Sequence, residues 1–339
     1  MLDYAHMSSF TRSGEASAVD PRAGWAFYDT TTPWPGSNVP RVQTDGAILI
    51  EPARTNLIIR SREFSNTGAW SSNSGTITTG QSAPDGTSVA MRVQSSVGGR
   101  LGPEQIGSFS GCIASVYARK GPGTGYTVLY TGGTDAGYFA ATVGTSFQRI
   151  VQNGSSGFYY LQDGRGHAIL IGGPGEPATD CDSVLDLAQN EVGAFATSPI
   201  RTTTTSVTRN ADVGSFNSIP STMRTGRWDL DFWPLWATST APATAYIYYV
   251  DASNYLAAVS GTTLRCRAGG SNFDITGLTF TAFAKRTVTV DFDGNTLAIS
   301  GASSVALSGD WSGAGSTLNV GSDGAANHVA AVLSMARAA

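Results

Sequence analysis

Short runs of β-branched and aromatic residues recur about every ten residues along most of this chain, and this recurrence constrains the fold more than any other feature. Gly, Asp-Gly and Pro-Gly turns separate the runs. Such spacing is typical of antiparallel β-sandwiches and jelly rolls. With 41 glycines and only 14% charged residues, the chain is unlike a helical bundle or a coiled coil. The sequence therefore predicts an all-β protein with two antiparallel jelly-roll sandwich domains.

Changes in this pattern predict three segments. Residues 1–59 interleave aromatic residues with Gly, Pro and Asp and show no sustained period, which predicts an irregular N-terminal attachment segment. Residues 60–212 and 213–339 are predicted to be the two sandwiches, joined by an extended connector at 201–212. The run at 182–193 is the one plausible helix, and it fits an additional strand equally well.

Alternation predicts which side chains share a face of a strand. In RWDLDFWPLW, at 227–236, one face holds Trp228, Leu230 and Phe232, and the opposite face holds Asp229, Asp231 and Trp233. In the same way, TVTVDFDGNTLAI at 287–299 predicts a hairpin with one apolar face and an Asp-Gly turn.

Two further strands carry aromatic and basic residues. Strict alternation places Tyr246 and Tyr248 opposite Ile247 and Tyr249. A strand at 263–268 sets Arg265 and Arg267 opposite Cys266 in the same way. All three cysteines are widely separated in sequence, which predicts reduced and mostly buried thiols.

Charge and hydropathy exclude several partner classes. The formal net charge is −4, lysine occurs only at Lys120 and Lys285, and no basic stripe is present, so no nucleic-acid partner is predicted. No apolar run approaches the roughly 18 residues of a spanning helix, so no membrane insertion is predicted. The N-terminal residues lack a basic n-region and an apolar h-region, and we expect synthesis in the cytoplasm.

The catalytic motifs that we tested are absent. The chain has no G-x-S-x-G elbow, and its three histidines are isolated, so no catalytic residue and no metal ligand are assigned and the protein is predicted not to be an enzyme. The last glutamate is Glu191, which leaves Asp229 and Asp231 as the carboxylates of an alternative, a polysaccharide depolymerase or esterase.

No cofactor is predicted, with one exception left open. Asp180, Asp182 and Asp186 can contribute to a structural calcium site, although the loop pattern of an EF-hand is absent.

Sugar recognition remains the best-supported chemistry. Aromatic rings stack on the C–H faces of pyranoses, while Asp, Asn and Arg bond the hydroxyls. The alternative for each ring is a place in the core. The predicted carbohydrate-binding surface consists of Trp233, Trp236, Tyr249, Tyr255, Arg267 and Trp311.

An ordered series of motifs resembles a widespread class of bacteriophage and prophage structural proteins, the tail-fibre and head-spike proteins, including spikes of gene transfer agents. The motifs are FTR at 10–12, NVPR at 38–41, IEPARTNL at 50–57 and a stretch from Phe64 to Trp70. NEVGAFATSPIRTTTTSVTRNAD at 190–212 resembles the closing signature of the carbohydrate-binding jelly roll in that class. Residues from Thr225 onward resemble laminin-G or concanavalin A-like sandwiches by pattern alone.

This resemblance implies a virion surface protein, made in the bacterial cytoplasm and released by lysis. Its expected function is an adhesin that binds host capsule or lipopolysaccharide and promotes particle attachment. Residues 1–59 are expected to contact other virion proteins, and a homo-oligomer is expected, a trimer in a fibre or a pentamer at a fivefold vertex. The alternatives are the depolymerase or esterase and a purely structural decoration protein.

Overall fold

The structure of the protein is a computed structural model that describes residues 7–12, 15–73, 76–95, 102–104, 112–122, 126–130, 138–153, 181–323, 329–334 and 337–338. Strands and turns dominate these residues, and all the strand pairs described below are antiparallel. The helical segments are Pro21–Ala23, Ser221–Thr225 and Thr238–Thr240. No helix in the described part has the length and apolarity needed to cross a bilayer. The prediction of an all-β antiparallel fold is confirmed.

The chain forms two compact units, and each is built from separated stretches of sequence. Unit 1 contains Met1–Gly14, Pro35–Ala53 and Asn210–Ala339, and unit 2 contains Glu15–Trp34 and Arg54–Arg209. Residues 1–59 are therefore divided between the two units, because two of their strands pair with strands of the C-terminal region. Unit 1 resumes at Asn210, and its next strand, Val213–Phe216, begins at the boundary predicted between residues 212 and 213.

The described residues of unit 1 form two seven-stranded sheets. The front sheet runs in the order Ser9–Thr11, Val213–Phe216, Leu318–Val320, Thr244–Asp251, Asn254–Val259, Thr263–Ala268 and Ser271–Ile275. The back sheet runs in the order Val305–Ala306, Thr296–Ile299, Arg286–Asp291, Arg227–Pro234, Ala331–Leu333 and Ile48–Ile50, and Arg337–Ala338 also pairs with Arg227–Pro234.

Alternation predicts the back sheet well. Along Arg227–Pro234 every second side chain is buried, beginning with Trp228. The predicted hairpin is confirmed, because Val288 lies opposite Ile299 and Val290 lies opposite Leu297. The alternation is regular here because one face of the sheet is buried, and a shift of one residue would move the apolar side chains to the solvent face.

Aromatic side chains fill the space between the two sheets of unit 1. Trp228 of the back sheet lies 5.8 Å from Tyr248 of the front sheet, measured between ring centroids. Trp311 lies 5.8 Å from Trp228 and 5.8 Å from Phe292. A second group joins Phe232, Trp236 and Phe280 at centroid distances of 5.0 to 6.2 Å. These contacts identify the core of unit 1.

The described residues of unit 2 form one main sheet and three small ones. The main sheet runs Gln148–Asn153, Cys112–Lys120, Cys181–Val192, Arg54–Asn56 and Val207–Arg209, with Ala90–Ser95 pairing Cys181–Val192 and Thr76–Gln81 pairing Ala90–Ser95. The two-stranded sheets join Tyr126–Tyr130 to Tyr138–Thr142, Val19–Asp20 to Ala26–Phe27, and Ser71–Asn73 to Gly102–Glu104. Two of the recurring β-branched and aromatic runs that predict strands, GFYYLQD at 157–163 and HAILIGG at 167–173, lie outside the described residues.

The run at 182–193 is a strand. In the main sheet of unit 2, Cys181–Val192 pairs with Cys112–Lys120 along one edge and with Ala90–Ser95 and Arg54–Asn56 along the other. Its side chains pack into a core that includes Phe64 and Trp70. Cys112 and Cys266 are reduced and buried, as predicted, and burial raises the pKa of their thiols to about 11 and about 12.

Candidate functional site

A β-bulge brings two tyrosines to the outer face of the front sheet. The register between Thr244–Asp251 and Asn254–Val259 shifts between Tyr246 and Tyr248. Ile247 and Tyr248 are consequently both buried, while Tyr246 and Tyr249 are half-buried on the opposite face. The prediction that Tyr246 and Tyr248 share a face is wrong, because strict alternation does not anticipate the extra residue.

Tyr246, Tyr249 and Tyr255 form a compact group, which we call the tyrosine cluster. The rings of Tyr249 and Tyr255 are nearly parallel, with an interplanar angle of 16° and a centroid distance of 6.4 Å. Tyr246 meets both edge to face, at 5.0 Å and 5.1 Å. Since Tyr255 is only 7% exposed, Tyr246 and Tyr249 present the accessible surface and Tyr255 supports them.

Two arginines lie beside the tyrosine cluster on the next strand. Arg265 binds Asp274 through two nitrogens at 2.8 Å each, and Asp274 and Tyr255 raise the pKa of Arg265 above its ordinary value. Arg267 lies directly opposite Tyr255 and donates through Nε to the carbonyl of Gly270 at 3.1 Å. Among the described residues no carboxylate forms an ion pair with Arg267, so its terminal nitrogens remain available for a ligand.

Polar residues extend the tyrosine cluster across the sheet. Asn319 lies opposite Tyr249, and Asn272 lies opposite Arg267. Directly opposed positions form one row across seven strands: Ser9, Ser215, Asn319, Tyr249, Tyr255, Arg267 and Asn272. Neighbouring side chains in such a row are about 5 Å apart. The row therefore places hydroxyl, amide, aromatic and guanidinium groups close enough together for one ligand to contact several of them.

The environment keeps the hydroxyl of Tyr246 protonated. Burial raises the pKa of Tyr246 above its ordinary value, and the neighbouring Tyr255, Asp323 and Tyr249 raise it further. A neutral phenol can both donate and accept a hydrogen bond. The outer face therefore combines ring surfaces with donors and acceptors, the set of groups that suits a polyhydroxylated ligand.

Two of the six predicted binding residues belong to the core. Trp236 and Trp311 are both completely buried. Trp311 donates its indole N–H to the carbonyl of Arg267 at 2.9 Å, so it supports the strand that carries Arg267 from below. A ring without exposed area cannot stack on a sugar, and the prediction of Trp236 and Trp311 as contacts is corrected.

Trp233 lies on the other sheet. It is half-buried on the outer face of the back sheet, where Lys285 Nζ lies 5.6 Å from its ring centroid. Lys285 also forms an ion pair with Asp231 at 2.7 Å, and Asp229 accepts a hydrogen bond from Thr289 at 2.5 Å. Of the predicted residues, the structure thus brings together Tyr249, Tyr255 and Arg267, and separates Trp233 from them.

Arginines hold the aspartates of the calcium hypothesis. Asp182 binds Arg92 at 2.7 Å and 2.6 Å, and Asp186 binds Arg62 at 2.8 Å and 2.5 Å. Asp180 lies outside the described residues. Within the described ranges no group of three His, Cys, Asp or Glu residues is placed to hold a metal ion.

Arg62 is shared by two buried aspartates. It binds Asp85 at 2.7 Å as well as Asp186 at 2.5 Å. Burial alone would raise the pKa of Asp85, but hydrogen bonds from Arg62, Thr87 and Trp34 outweigh it and hold this pKa well below its usual range. Burial raises the pKa of Asp186 to about 6, and the charge of Asp85 adds to the effect. One guanidinium therefore neutralises only one of two buried carboxylates.

This arrangement predicts how stability depends on pH. Because folded Asp186, with a pKa of about 6, binds its proton more tightly than the unfolded chain does, the free energy of unfolding should fall as pH rises from about 4 to about 6. The contribution is about 3 kcal/mol for a shift of about two pKa units. Asp186→Asn should remove this slope in urea unfolding curves measured at several pH values. An unchanged slope in the variant would contradict the assignment, and Asp293→Asn, an exposed position, is the control.

A buried ionic cluster in unit 1 joins charged residues of the phage-like sequence motifs. They are Arg12 of FTR, Arg41 of NVPR, Glu51 of IEPARTNL and Asp212 of the motif at 190–212. Arg41 pairs with Glu51 at 2.6 Å and with Asp212, and Arg12 pairs with Asp212 at 3.3 Å. All four side chains are fully buried. Burial alone would lower the pKa of Arg41, but Asp212 and Glu51 raise it above its ordinary value. These motif residues are structural and do not form a binding surface.

The closing motif has a similar role in unit 2. Glu191 accepts hydrogen bonds from the backbone N–H and the hydroxyl of Thr197, at 2.8 Å and 2.6 Å, and from Gln189 at 2.7 Å. Asn56 donates to the carbonyls of Ala188 and Ile200 at 3.0 Å and 2.8 Å. A buried polar network that is this well satisfied fixes the strand ends of unit 2.

Comparisons with known proteins give little further information. No protein-family model matches the chain, and no curated protein sequence does either. Among solved structures, the chain is similar to the N-terminal CBM22-1–CBM22-2 tandem domain of Xyn10C from Paenibacillus barcinonensis, with 10% identity. The match covers 83% of this chain and 96% of that chain, with a TM-score of 0.26. At this TM-score the similarity assigns no site, and the candidate site depends on the side-chain geometry above.

The sequence does not predict four members of the site. Tyr246, Arg265, Asn272 and Asn319 lie in or beside the row, and none of them is among the predicted sugar contacts. The spacing of Tyr246 and Tyr249 by three residues hides their common face, and Asn319 reaches the row through a strand about 70 residues away in sequence. One part of the site is visible in the sequence: the spacing of Arg265 and Arg267 by two residues correctly predicts that they lie on the same face of their strand.

Proposed function

We propose that this protein is a non-enzymatic adhesin on the surface of a phage or gene transfer agent particle, and that the outer face of the front sheet binds host cell-surface polysaccharide. The observation that carries the proposal is the tyrosine cluster beside the guanidinium of Arg267, which forms no ion pair with a carboxylate among the described residues. The resemblance of residues 10–70 and 190–212 to head-spike and tail-fibre proteins supports the virion setting.

The row across the front sheet suggests how a glycan would bind. The ring faces of Tyr246 and Tyr249 would cover the C–H surface of one or two sugar rings. Arg267 and Asn272 on one side and Asn319 on the other would bond hydroxyl or carboxylate oxygens. Tyr255, which is buried, would hold the two exposed rings in place and reduce the entropy lost on binding.

Several copies on one particle would make weak sites sufficient. In a trimer or a pentamer, the second binding event becomes intramolecular, and avidity exceeds the affinity of one site by about 10²–10⁴. The oligomer and the contacts of residues 1–59 with other virion proteins are parts of this proposal.

A binding experiment with purified full-length protein tests the site. On an array of purified bacterial capsular polysaccharides and lipopolysaccharides, Tyr249→Ala should weaken retention on the bound glycan by about tenfold, because one stacked ring is worth about 1.4 kcal/mol. Trp233→Ala is the matched control, since it removes another half-buried aromatic ring from the other sheet. Thermal unfolding of both variants checks that each is folded.

Three results would contradict the proposal. Loss of retention in Trp233→Ala with unchanged Tyr249→Ala would move the site to the back sheet. Release of reducing ends, lost in Asp229→Asn, would favour the depolymerase. Absence of binding to every glycan, together with binding to a virion protein, would favour the structural decoration protein.

A further inference from the structure

Unit 2 contains a preformed cavity that is separate from the outer face of the front sheet. Its volume is 740 Å³, and its twelve lining residues all belong to unit 2. Ligand cavities in proteins typically have volumes of about 300–1,000 Å³, so this one matches a ligand of two or three sugar rings. Four of its lining residues, Arg201, Thr202, Thr203 and Val207, belong to the motif at 190–212.

Ion pairs hold the walls of the cavity. Arg62 lines the cavity, and its guanidinium donates hydrogen bonds to Asp85, Asp186 and Thr87. Arg201, a second lining residue, pairs with Glu15 and places its guanidinium 4.3 Å from the ring centroid of Trp34. Because Trp34 donates its indole N–H to Asp85 at 2.8 Å, the two arginines belong to one connected wall.

The base of the cavity is equally fixed. Ser61 and Thr202 exchange hydrogen bonds, with the backbone N–H of each donating to the hydroxyl of the other at 3.1 Å and 3.0 Å. Thr202 and Met91 are buried lining residues. A cavity whose walls are already ordered loses little entropy when it binds.

Each charged side chain of the lining is paired with a group of opposite charge. Arg201 is compensated by Glu15, Glu63 by Arg60, and Arg62 by Asp85 and Asp186 together. No lining arginine is left without a carboxylate, so an anionic ligand would gain no uncompensated cation. Between the charged groups lie the apolar side chains of Val89, Met91 and Val207 and the hydroxyls of Thr79, Ser88 and Thr203.

We propose that this cavity is a second binding site, specific for an uncharged saccharide of two or three rings. Val89, Met91 and Val207 would contact the C–H faces of the sugar, and the hydroxyl and paired charged groups would bond its hydroxyls. This site does not depend on the function proposed for the front sheet, since no residue is common to both.

Saturation-transfer NMR on the full-length protein tests this site. The probes are uncharged di- and trisaccharides of glucose, galactose and mannose. At least one should receive saturation, and Val89→Trp should reduce its affinity at least tenfold by filling the cavity. Val89 is 41% exposed, so a larger side chain there does not disturb the core. Val192→Trp is the matched control, because Val192 is 58% exposed in the same unit and does not line the cavity.

The results separate the two sites. Saturation transfer that persists in Tyr249→Ala and disappears in Val89→Trp supports the cavity, whatever the glycan array shows. No transfer to any of the uncharged probes overturns the proposal, as does transfer that is equal in Val89→Trp and Val192→Trp. A glycan array without signal overturns the front-sheet function alone.

Discussion

Asp212→Ala is expected to lower the free energy of unfolding by about 3–5 kcal/mol, the cost of removing one partner from a buried ion pair. Asp212 accepts hydrogen bonds from Arg12, from Arg41 and from the backbone N–H of Glu51, the last at 2.9 Å. Its removal would take one carboxylate away from two buried guanidinium groups, while the ion pair of Arg41 with Glu51 would remain. Urea unfolding, followed by tryptophan fluorescence, measures the change.

The control for this substitution is Asp293→Ala. Asp293 is exposed in a turn of the same unit, so its loss should change stability by about 0.5 kcal/mol or less. Equal stabilities of the Asp212→Ala and Asp293→Ala proteins would show that the ionic cluster is not needed for folding, and the argument that these motif residues are structural would fail.

Trp311→Ala is expected to destabilise unit 1 by about 3–5 kcal/mol, because it removes a completely buried ring and leaves a cavity. The substitution also removes the hydrogen bond to the carbonyl of Arg267 and the ring contacts with Trp228 and Phe292. Calorimetry or urea unfolding measures the loss.

Trp233→Ala distinguishes burial from residue type. Trp233 is half-buried and contacts Lys285, so the same change should cost about 1 kcal/mol or less. If Trp311→Ala kept full stability and lost glycan retention, Trp311 would be a ligand contact after all, as the sequence predicts.

Alternation explains what the sequence predicts correctly. The faces of Trp228 and Asp229, the hairpin around Asp293, and the common face of Arg265 and Arg267 all depend on regular strands with one buried side. In such strands the burial of one face requires apolar residues at every second position, and this pattern is visible in the local sequence.

The remaining features depend on contacts that are distant in sequence. One bulge residue reverses the faces of Tyr248 and Tyr249. Trp236 and Trp233 look alike in sequence, but Trp236 follows the strand and turns into the core, where it meets Phe280 at 5.0 Å. The motif residue Arg41 has its role only because Asp212 lies beside it, and no local pattern relates two residues so far apart.

The interleaved chain path of unit 1 has a consequence for biosynthesis. Its completely buried strand Ile48–Ile50 pairs with Ala331–Leu333, and Ser9–Thr11 pairs with Val213–Phe216. On the ribosome, the sequence of unit 2 is complete at Arg209, whereas the apolar strand Ile48–Ile50 of unit 1 must wait until Ala331–Leu333 has emerged. An unpaired apolar strand is a site of aggregation, so a translation that stalls between Arg209 and Ala331 releases a chain in which unit 2 can fold while unit 1 is prone to aggregate.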